Sequence, residues 1–486
     1  MTDANPTTSN RKWWVLAVLS ITQLMVALDA TVINIALPSA QVALHFSAAN
    51  RQWLITAYAL AFGSLLLLGG RLSDLFGRRI ILYIGLSGFA LASALGGIAN
   101  SFATLVTARA VQGVFGALLA PAALAALTTT FEVPKERAKA FSIFGAIGGS
   151  GAAIGLLLGG ALTQYASWRW CLFINLIFAG IALIGVALFV DGGRGGHHTQ
   201  LDVLGAILGS GGLFLLVYGF GHAVLTSWGN FATWASLLGS VILLWLFVLW
   251  QQHAPSPLLP LRLLINRFRG GSLAALFITS IGIFGISLFL AYYLQNQLGY
   301  TPLRTGIDFM PMVLALAVSA SVASARLLAI AGPRPLVPTG MLLAMMGMIL
   351  FTKLTVHADY LGHVLPGLVL TGLGLGLIFA PATASATAGI KARDAGAASA
   401  LVNTTQQIGG SIGVALLNTI AVQATLRAVG HHAVALSKLQ ETRATLHGYS
   451  IAFWWVAAMF GIGAVVTFGV IESGVPELEG DVVPLL

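Results

Sequence analysis

The chain has 486 residues, 57% hydrophobic and only 8% charged. Soluble domains carry about 25% charged residues, so a water-soluble globule is excluded. The formal charge of +9 comes from cations scattered singly between apolar runs, which argues against nucleic-acid binding. One cysteine, Cys171, rules out an intrachain disulfide and any cysteine-built metal site.

Residues 1–12 are polar, and the apolar run from Trp13 to Leu37 is too long for a signal-peptide core, so it is read as a retained span. Further apolar runs follow at 51–69, 80–99, 104–130, 139–163, 170–190, 202–224, 231–250, 269–294, 303–325, 335–353, 363–389, 397–424 and 447–471. Each is close to the roughly 20 residues a bilayer crossing needs, giving about fourteen transmembrane helices. An even number places both termini on one side. With the N-terminus cytoplasmic, sixteen Lys and Arg fall on that face and seven on the other, as the positive-inside rule requires. Arg109 is left inside a span.

The second and third spans are joined by GRLSDLFGRR, Gly70 to Arg79. A turn this short and charged must lie at a membrane face. Gly70 and Gly77 let helix ends approach, and Asp74 can bridge Arg71, Arg78 and Arg79. The paired histidines His197–His198 and His431–His432 fall in loops and are read as solvated; no metal site is expected.

Parts of the chain repeat. QGVFGALLAP at Gln112–Pro121 returns as GLGLGLIFAP at Gly372–Pro381, IGGS at Ile147–Ser150 returns at Ile408–Ser411, and RLSDLFGRR returns in worn form as RLLAIAGPR at Arg326–Arg334. The order and spacing match, which points to duplication of a six-helix unit. The predicted organisation is an N-terminal six-helix bundle at 1–190, two inserted transmembrane helices with loops at 191–268, and a C-terminal six-helix bundle at 269–486. Parallel halves of this kind are a transporter architecture with substrate held between them near mid-membrane.

The chain resembles the major facilitator superfamily, and within it the fourteen-helix drug:proton antiporter branch. LDATVINIALP (Leu28 to Pro38) resembles the first-helix motif of that branch. GRLSDLFGRR matches the superfamily motif between helices 2 and 3 at Gly70, Leu72, Asp74, Gly77, Arg78 and Arg79. LVTARAVQG matches the fourth-helix motif at Arg109, Gln112 and Gly113. In the fifth helix, Gly151, Gly155, Gly159 and Gly160 match the antiporter motif, but Leu156 stands where the family has proline. The resemblance implies an all-α polytopic membrane protein of the major facilitator fold, located in the bacterial inner membrane. It implies secondary active efflux of lipophilic, cationic compounds in exchange for protons, and no enzymatic activity. No GxxxxGK[ST] signature occurs, so a proton gradient rather than nucleotide hydrolysis is the expected energy source, with no cofactor. Partners are then small lipophilic cations, protons and the bilayer, and the chain is read as monomeric. An exporter of a lipid, siderophore or metabolite is the nearest alternative; a membrane enzyme or sensor lacks clustered catalytic groups or a sizeable soluble domain.

Candidate functional residues follow from charge inside the membrane, where an ionised side chain costs at least about 2.5–3.5 kcal/mol and so marks function. Asp29, Arg109 and Asp308 sit at similar predicted depth, and Asp29 with Arg109 forms the expected proton-coupling pair. Asp29 also reads as a structural acid tying helices together, and Asp308 as the partner of Arg304 four residues before it. Asp74 is expected to gate, joining the arginines of its turn to helix ends of the other half. The glycines of the fifth helix also read as close-packing positions. Asn34, Tyr58, Gln112, Phe284, Tyr292, Phe379, Asn403 and Gln407 are the substrate-cavity candidates.

Overall fold

Backbone inside a bilayer must satisfy its own hydrogen bonds, so apolar runs of this length can only be helices here. The computed structural model describes residues 6–47, 50–131, 133–191, 202–225, 228–255, 257–259, 267–356, 358–387, 395–429 and 437–471. Among them lie fourteen long helices and no strand: α1 (Pro6–Leu44), α2 (Trp53–Phe76), α3 (Arg78–Gly97), α4 (Phe102–Thr130), α5 (Pro134–Tyr165), α6 (Trp170–Phe189), α7 (Val203–Leu225), α8 (Phe231–His253), α9 (Arg267–Tyr292), α10 (Pro302–Val322), α11 (Pro333–Phe351), α12 (Leu365–Thr387), α13 (Ala395–Val429) and α14 (Lys438–Val470). Twelve are long and apolar enough to cross a membrane; the other two, α2 and α5, carry the shorter apolar stretches Trp53–Leu66 and Ala153–Tyr165. The histidine pairs at 197–198 and 431–432 lie outside the described residues.

Helix boundaries follow local chemistry. Ser101 caps α4 by accepting from the Thr104 N–H at 3.2 Å, and Ser437 with Gln440 forms a capping box at the start of α14. That box starts α14 at Lys438, nine residues before the apolar run expected at 447–471, and α13 likewise runs past its expected end at 424 to Val429. Gly77 is the single residue between α2 and α3, with φ 89°, a conformation that costs a side chain dearly and glycine little. α9 runs into a π turn at Tyr293–Gln297, and α10 is interrupted at Phe309 and followed by a π turn at Ala323–Leu327.

The chain forms two compact units. The first comprises Met1–Tyr218, Ala235–Leu258 and Tyr300–Ile307; the second comprises Gly219–Trp234, Leu259–Gly299 and Asp308–Leu486. Inside the first, α1 packs on α4, α5 and α6, α2 on α4, and α3 on α4 and α6. Inside the second, α9 packs on α12, α13 and α14, α10 on α12, and α11 on α12 and α14. The two pairing schemes are identical when each helix of the first unit is advanced by eight in the order α1 to α14. The small residues recur with them. A Cβ at Gly113 would come within 2.9 Å of Ala61 Cβ, and one at Gly372 within 2.9 Å of Ala315 Cβ, so α4 on α2 and α12 on α10 approach in the same way. Outward faces are apolar: Phe231 on α8 is 84% exposed and Trp245 60%, as suits a surface solvated by lipid.

Candidate functional site

α1 is apolar on nearly every face, and Asp29 sits in its middle with 0% exposure. A carboxylate in that position needs partners; α4 and α6 supply them, and α2 and α3 complete the cluster around them. Arg109 on α4, 1% exposed, donates from Nη1 to Asp29 Oδ2 at 2.6 Å. Asp29 Oδ1 accepts from Gln112 Nε2 at 3.1 Å and from Asn175 Nδ2 on α6 at 2.7 Å. Arg109 and Gln112, three residues apart, share one face of α4, and the same Arg109 Nη1 donates to Gln112 Oε1 at 2.9 Å. Gln112 Nε2 donates in turn to Ser93 Oγ on α3 at 2.6 Å. From α2 come two further contacts: the Leu54 carbonyl accepts from Arg109 Nε at 3.1 Å, and the Tyr58 ring lies under the guanidinium at 4.5 Å.

The result is a neutral ion pair enclosed by amides, a hydroxyl and an aromatic face. Its geometry answers the usual objection to buried charge, since both carboxylate oxygens accept hydrogen bonds. Two buried polar atoms at its edge, Tyr58 Oη and Asn175 Oδ1, have no hydrogen-bond partner among the described residues. The second unit has nothing equivalent on its counterpart of α4. With Gly113 aligned on Gly372, as their matching contacts place them, Leu368 stands at the Arg109 position and Thr371 at the Gln112 position, both fully buried.

Asp29 and Arg109 are therefore in contact, as their predicted depths require, and Tyr58 and Gln112 belong to their cluster. Asn34, one and a half turns beyond Asp29, is buried in α1. Asn175 and Ser93 were not legible as site residues. The available signal was a lone amide in the otherwise apolar run WCLFINLIFAG, and a serine offers no such signal in a glycine- and alanine-rich helix.

The fifth-helix glycines lie against α1 on either side of Asp29. A Cβ at Gly151 would stand 2.7 Å from Ala27 Cβ, one at Gly155 would be 3.1 Å from the Leu28 carbonyl oxygen and collide with Thr31 Oγ1, and one at Gly159 would be 3.1 Å from the Val32 carbonyl oxygen. These three form the close α1–α5 seam. Gly160 instead faces Pro302 and Leu303, in the stretch of α10 that clusters with the first unit. α5 runs through Leu156 as one unbroken α-helix.

In the α2–α3 turn, Arg78 donates to Thr129 Oγ1 at the end of α4, and Arg79 Nη2 donates to the Ala187 carbonyl near the end of α6 at 2.9 Å. Gly70 lies in open packing, with only Pro121 Cβ within 3.6 Å of an added Cβ. Asp74 stands in the last turns of α2, its side chain outside the described set. The remaining candidates belong to the second unit. Asp308 is half-buried at the α10 interruption, where its backbone carbonyl accepts from Tyr360 Oη at 2.7 Å. Tyr292 is buried at the end of α9, Phe284 packs on Gly410, and Phe379, Asn403 and Gln407 are half-buried on α12 and α13.

A polytopic helical protein whose two sets of helices repeat one packing scheme has the architecture of a transporter. The chain belongs to the Major Facilitator Superfamily, whose family model matches residues 19–414. It is 47% identical over 95% of its length to the puromycin resistance protein pur8 of Streptomyces alboniger, covering 92% of that protein. It is 37% identical over 82% of its length to the cephamycin export protein CmcT of Amycolatopsis lactamdurans, covering 83% of that protein. In fold it matches a bacterial homologue of the human lysosomal transporter Spinster, with a TM-score of 0.64 at 17% identity, covering 95% of this chain and 97% of that one. It is a multi-pass membrane transporter and not an enzyme.

Proposed function

We propose that the chain exports small lipophilic compounds, antibiotics of the kind its relatives resist among them, in exchange for protons and by alternating access. The observation that carries this reading is the Asp29–Arg109 cluster. Asp29 is the proton-carrying group. When it takes up a proton on Oδ2, the carboxylate charge disappears and Arg109 loses its counter-ion, while the Leu54 carbonyl, the Gln112 amide and the Tyr58 ring still hold the guanidinium. When the proton leaves toward the cytoplasm, the pair re-forms. One proton thus changes the charge balance of five packed helices at once, which is the differential interaction any coupled conformational change requires. The proton gradient is the sole energy source, with no cofactor.

The substrate is expected to be cationic, because Asp29 and Asp308 supply acids and Phe284, Tyr292 and Phe379 supply aromatic faces that attract cations. Both termini lie in the cytoplasm of a bacterial cell, following the excess of Lys and Arg on that side. The protein works as a monomer.

The test is transport by the purified protein in proteoliposomes, with puromycin as the probe and a pH gradient as the only driving force. Wild type should accumulate puromycin against its gradient. Asp29→Asn should abolish that accumulation while leaving exchange of labelled for unlabelled puromycin partly intact, because the amide mimics the protonated acid. Accumulation by Asp29→Asn under a pH gradient alone would overturn the coupling assignment.

A further inference from the structure

The hairpin of α7 and α8 has no counterpart in the duplicated scheme, and the transport cycle above gives it no task. Within the first unit, its contacts and those of the loop after it run the length of α2. At one end the Trp53 ring lies 6.2 Å from Tyr218, midway Ser210 Oγ donates to the Ser64 carbonyl at 2.6 Å, and at the other end Arg71 Nη2 donates to the Pro257 carbonyl at 2.7 Å. The last of these engages the C-terminal end of α2, six residues before Gly77.

The peptide group that receives Arg71 is held from its other side as well. The N–H of Leu258, which belongs to the same Pro257–Leu258 peptide, is one of the groups that favour the charged form of the Asp202 carboxyl. Asp202 stands directly before α7, is 8% exposed, and accepts from the Gly205 N–H at 2.8 Å, from Trp250 Nε1 at 2.7 Å and from Gln251 Nε2 at 2.6 Å. An ordinary helix N-cap accounts for the Gly205 contact alone. The donors from the end of α8 and from the loop after it need another reason. Burial pushes the Asp202 carboxyl up, but the bonds from Trp250, Gly205, Gln251 and Leu258 outweigh it and hold the group below the usual carboxylate range, so it stays ionised. A carboxylate, one peptide dipole and a guanidinium therefore stand in charge order, negative at the N–H end and positive at the carbonyl end.

We infer that Asp202 is a positioning residue for the end of α2 that leads into the Gly77 turn, acting on Arg71 through the Pro257–Leu258 peptide, and that the α7–α8 hairpin is a splint along α2. The mechanical link stands on these contacts alone; its effect on transport rests on the efflux reading.

Amide hydrogen exchange on the full-length protein in lipid nanodiscs tests the link without any substrate. In Asp202→Asn, the Gly70–Arg79 turn and the loop carrying Pro257 should exchange about tenfold faster, the effect of losing one charge-assisted hydrogen bond on a local opening, with α9 to α14 unchanged. Arg71→Gln should accelerate the same turn, and the double variant should add nothing further, because both substitutions break one relay. Trp250→Phe, which removes a single donor, gives a milder version should Asp202→Asn fold poorly. Wild-type exchange of the turn in Asp202→Asn and Trp250→Phe, or additive effects in the double variant, would overturn the proposal. In proteoliposomes with puromycin, Asp202→Asn should lower the maximal rate several-fold and leave KM unchanged; a raised KM at unchanged maximal rate would overturn the role in transport. If wild type itself moves no puromycin while the exchange pattern holds, the efflux reading fails and the splint stands.

Discussion

Gly77 and Gly332 are the same residue of one turn, written twice in the chain. Gly77 stands alone between α2 and α3, Gly332 alone between a short helix at Leu328–Ala331 and α11, with φ 89° and 68° respectively, and each is followed two residues later by an arginine that reaches the end of a distant helix. Arg79 donates to the carbonyl of Ala187, two residues before the end of α6, and Arg334 Nε to that of Phe468, two residues before the end of α14. These carbonyls belong to the last helical turns, which lack intrahelical donors and carry the negative end of the helix dipole. The duplication thus preserved a structural fastening while the sequence between its fixed points wore away.

The first prediction follows from that backbone. Gly77→Ala and Gly332→Ala should each destabilise the protein by about 1–3 kcal/mol, since both hold a conformation essentially reserved for glycine. Gly70→Ala should be nearly neutral, because its Cβ would make only an ordinary contact with Pro121. Thermal unfolding of the purified variants in detergent, followed by tryptophan fluorescence, measures all three.

Breaking the buried pair from one side should be worse than removing it. Arg109→Gln leaves Asp29 enclosed without its counter-ion and should cost about 3–5 kcal/mol. Asp29→Asn combined with Arg109→Gln should recover much of that loss. The same unfolding assay, arranged as a double-mutant cycle, gives the coupling energy, and strict additivity would show that the two residues do not act as a pair.

Asn175 offers a separate handle on proton coupling. Asn175→Leu removes the 2.7 Å donor to Asp29 Oδ1 and leaves Arg109 in place. The remaining Arg109 and Gln112 contacts then hold Asp29 alone, so gradient-driven puromycin transport should slow several-fold with expression little changed. A wild-type rate would separate Asn175 from the coupling group.

Asp74→Asn should slow turnover with little effect on substrate KM, because the residue stands in the last turns of α2, beside the Gly77 turn. Initial rates of puromycin transport over a range of concentrations decide this. Normal turnover at normal expression would remove Asp74 from the gate.

Restoring the family's proline is instructive in the other direction. α5 is an unbroken α-helix at Leu156, and an interior proline costs about 3 kcal/mol. Leu156→Pro should lower the unfolding temperature accordingly, and a neutral result would show that α5 bends readily at this point.

The fold was legible because lipid leaves few choices. Apolar runs of the right length become spans, and a turn as charged as Gly70–Arg79 must come to the surface. The Asp29–Arg109 contact was legible for a related reason: two opposite charges at one depth in an apolar medium have strong cause to meet. Its amide partners were not. Asn175 and Ser93 are uncharged, so nothing in their spacing distinguishes them from residues that bond locally, and only the packing of α3 and α6 against α1 brings them to the acid. The relay at Asp202 was hidden more deeply, because its key element is a backbone peptide and leaves no trace in side-chain identity.

Cys171 closes the account of what the chain contains. It is the only thiol in 486 residues, it is buried, and it lies 3.3 Å from Thr163 Oγ1 and 3.6 Å from the Gly159 carbonyl oxygen. A thiol so enclosed is shielded from water-borne maleimides while the protein is folded. The native sequence is therefore its own background for site-directed labelling: a cysteine introduced on either membrane face would be the one that reacts, and the reading of both termini as cytoplasmic can be checked from each side without first removing a residue.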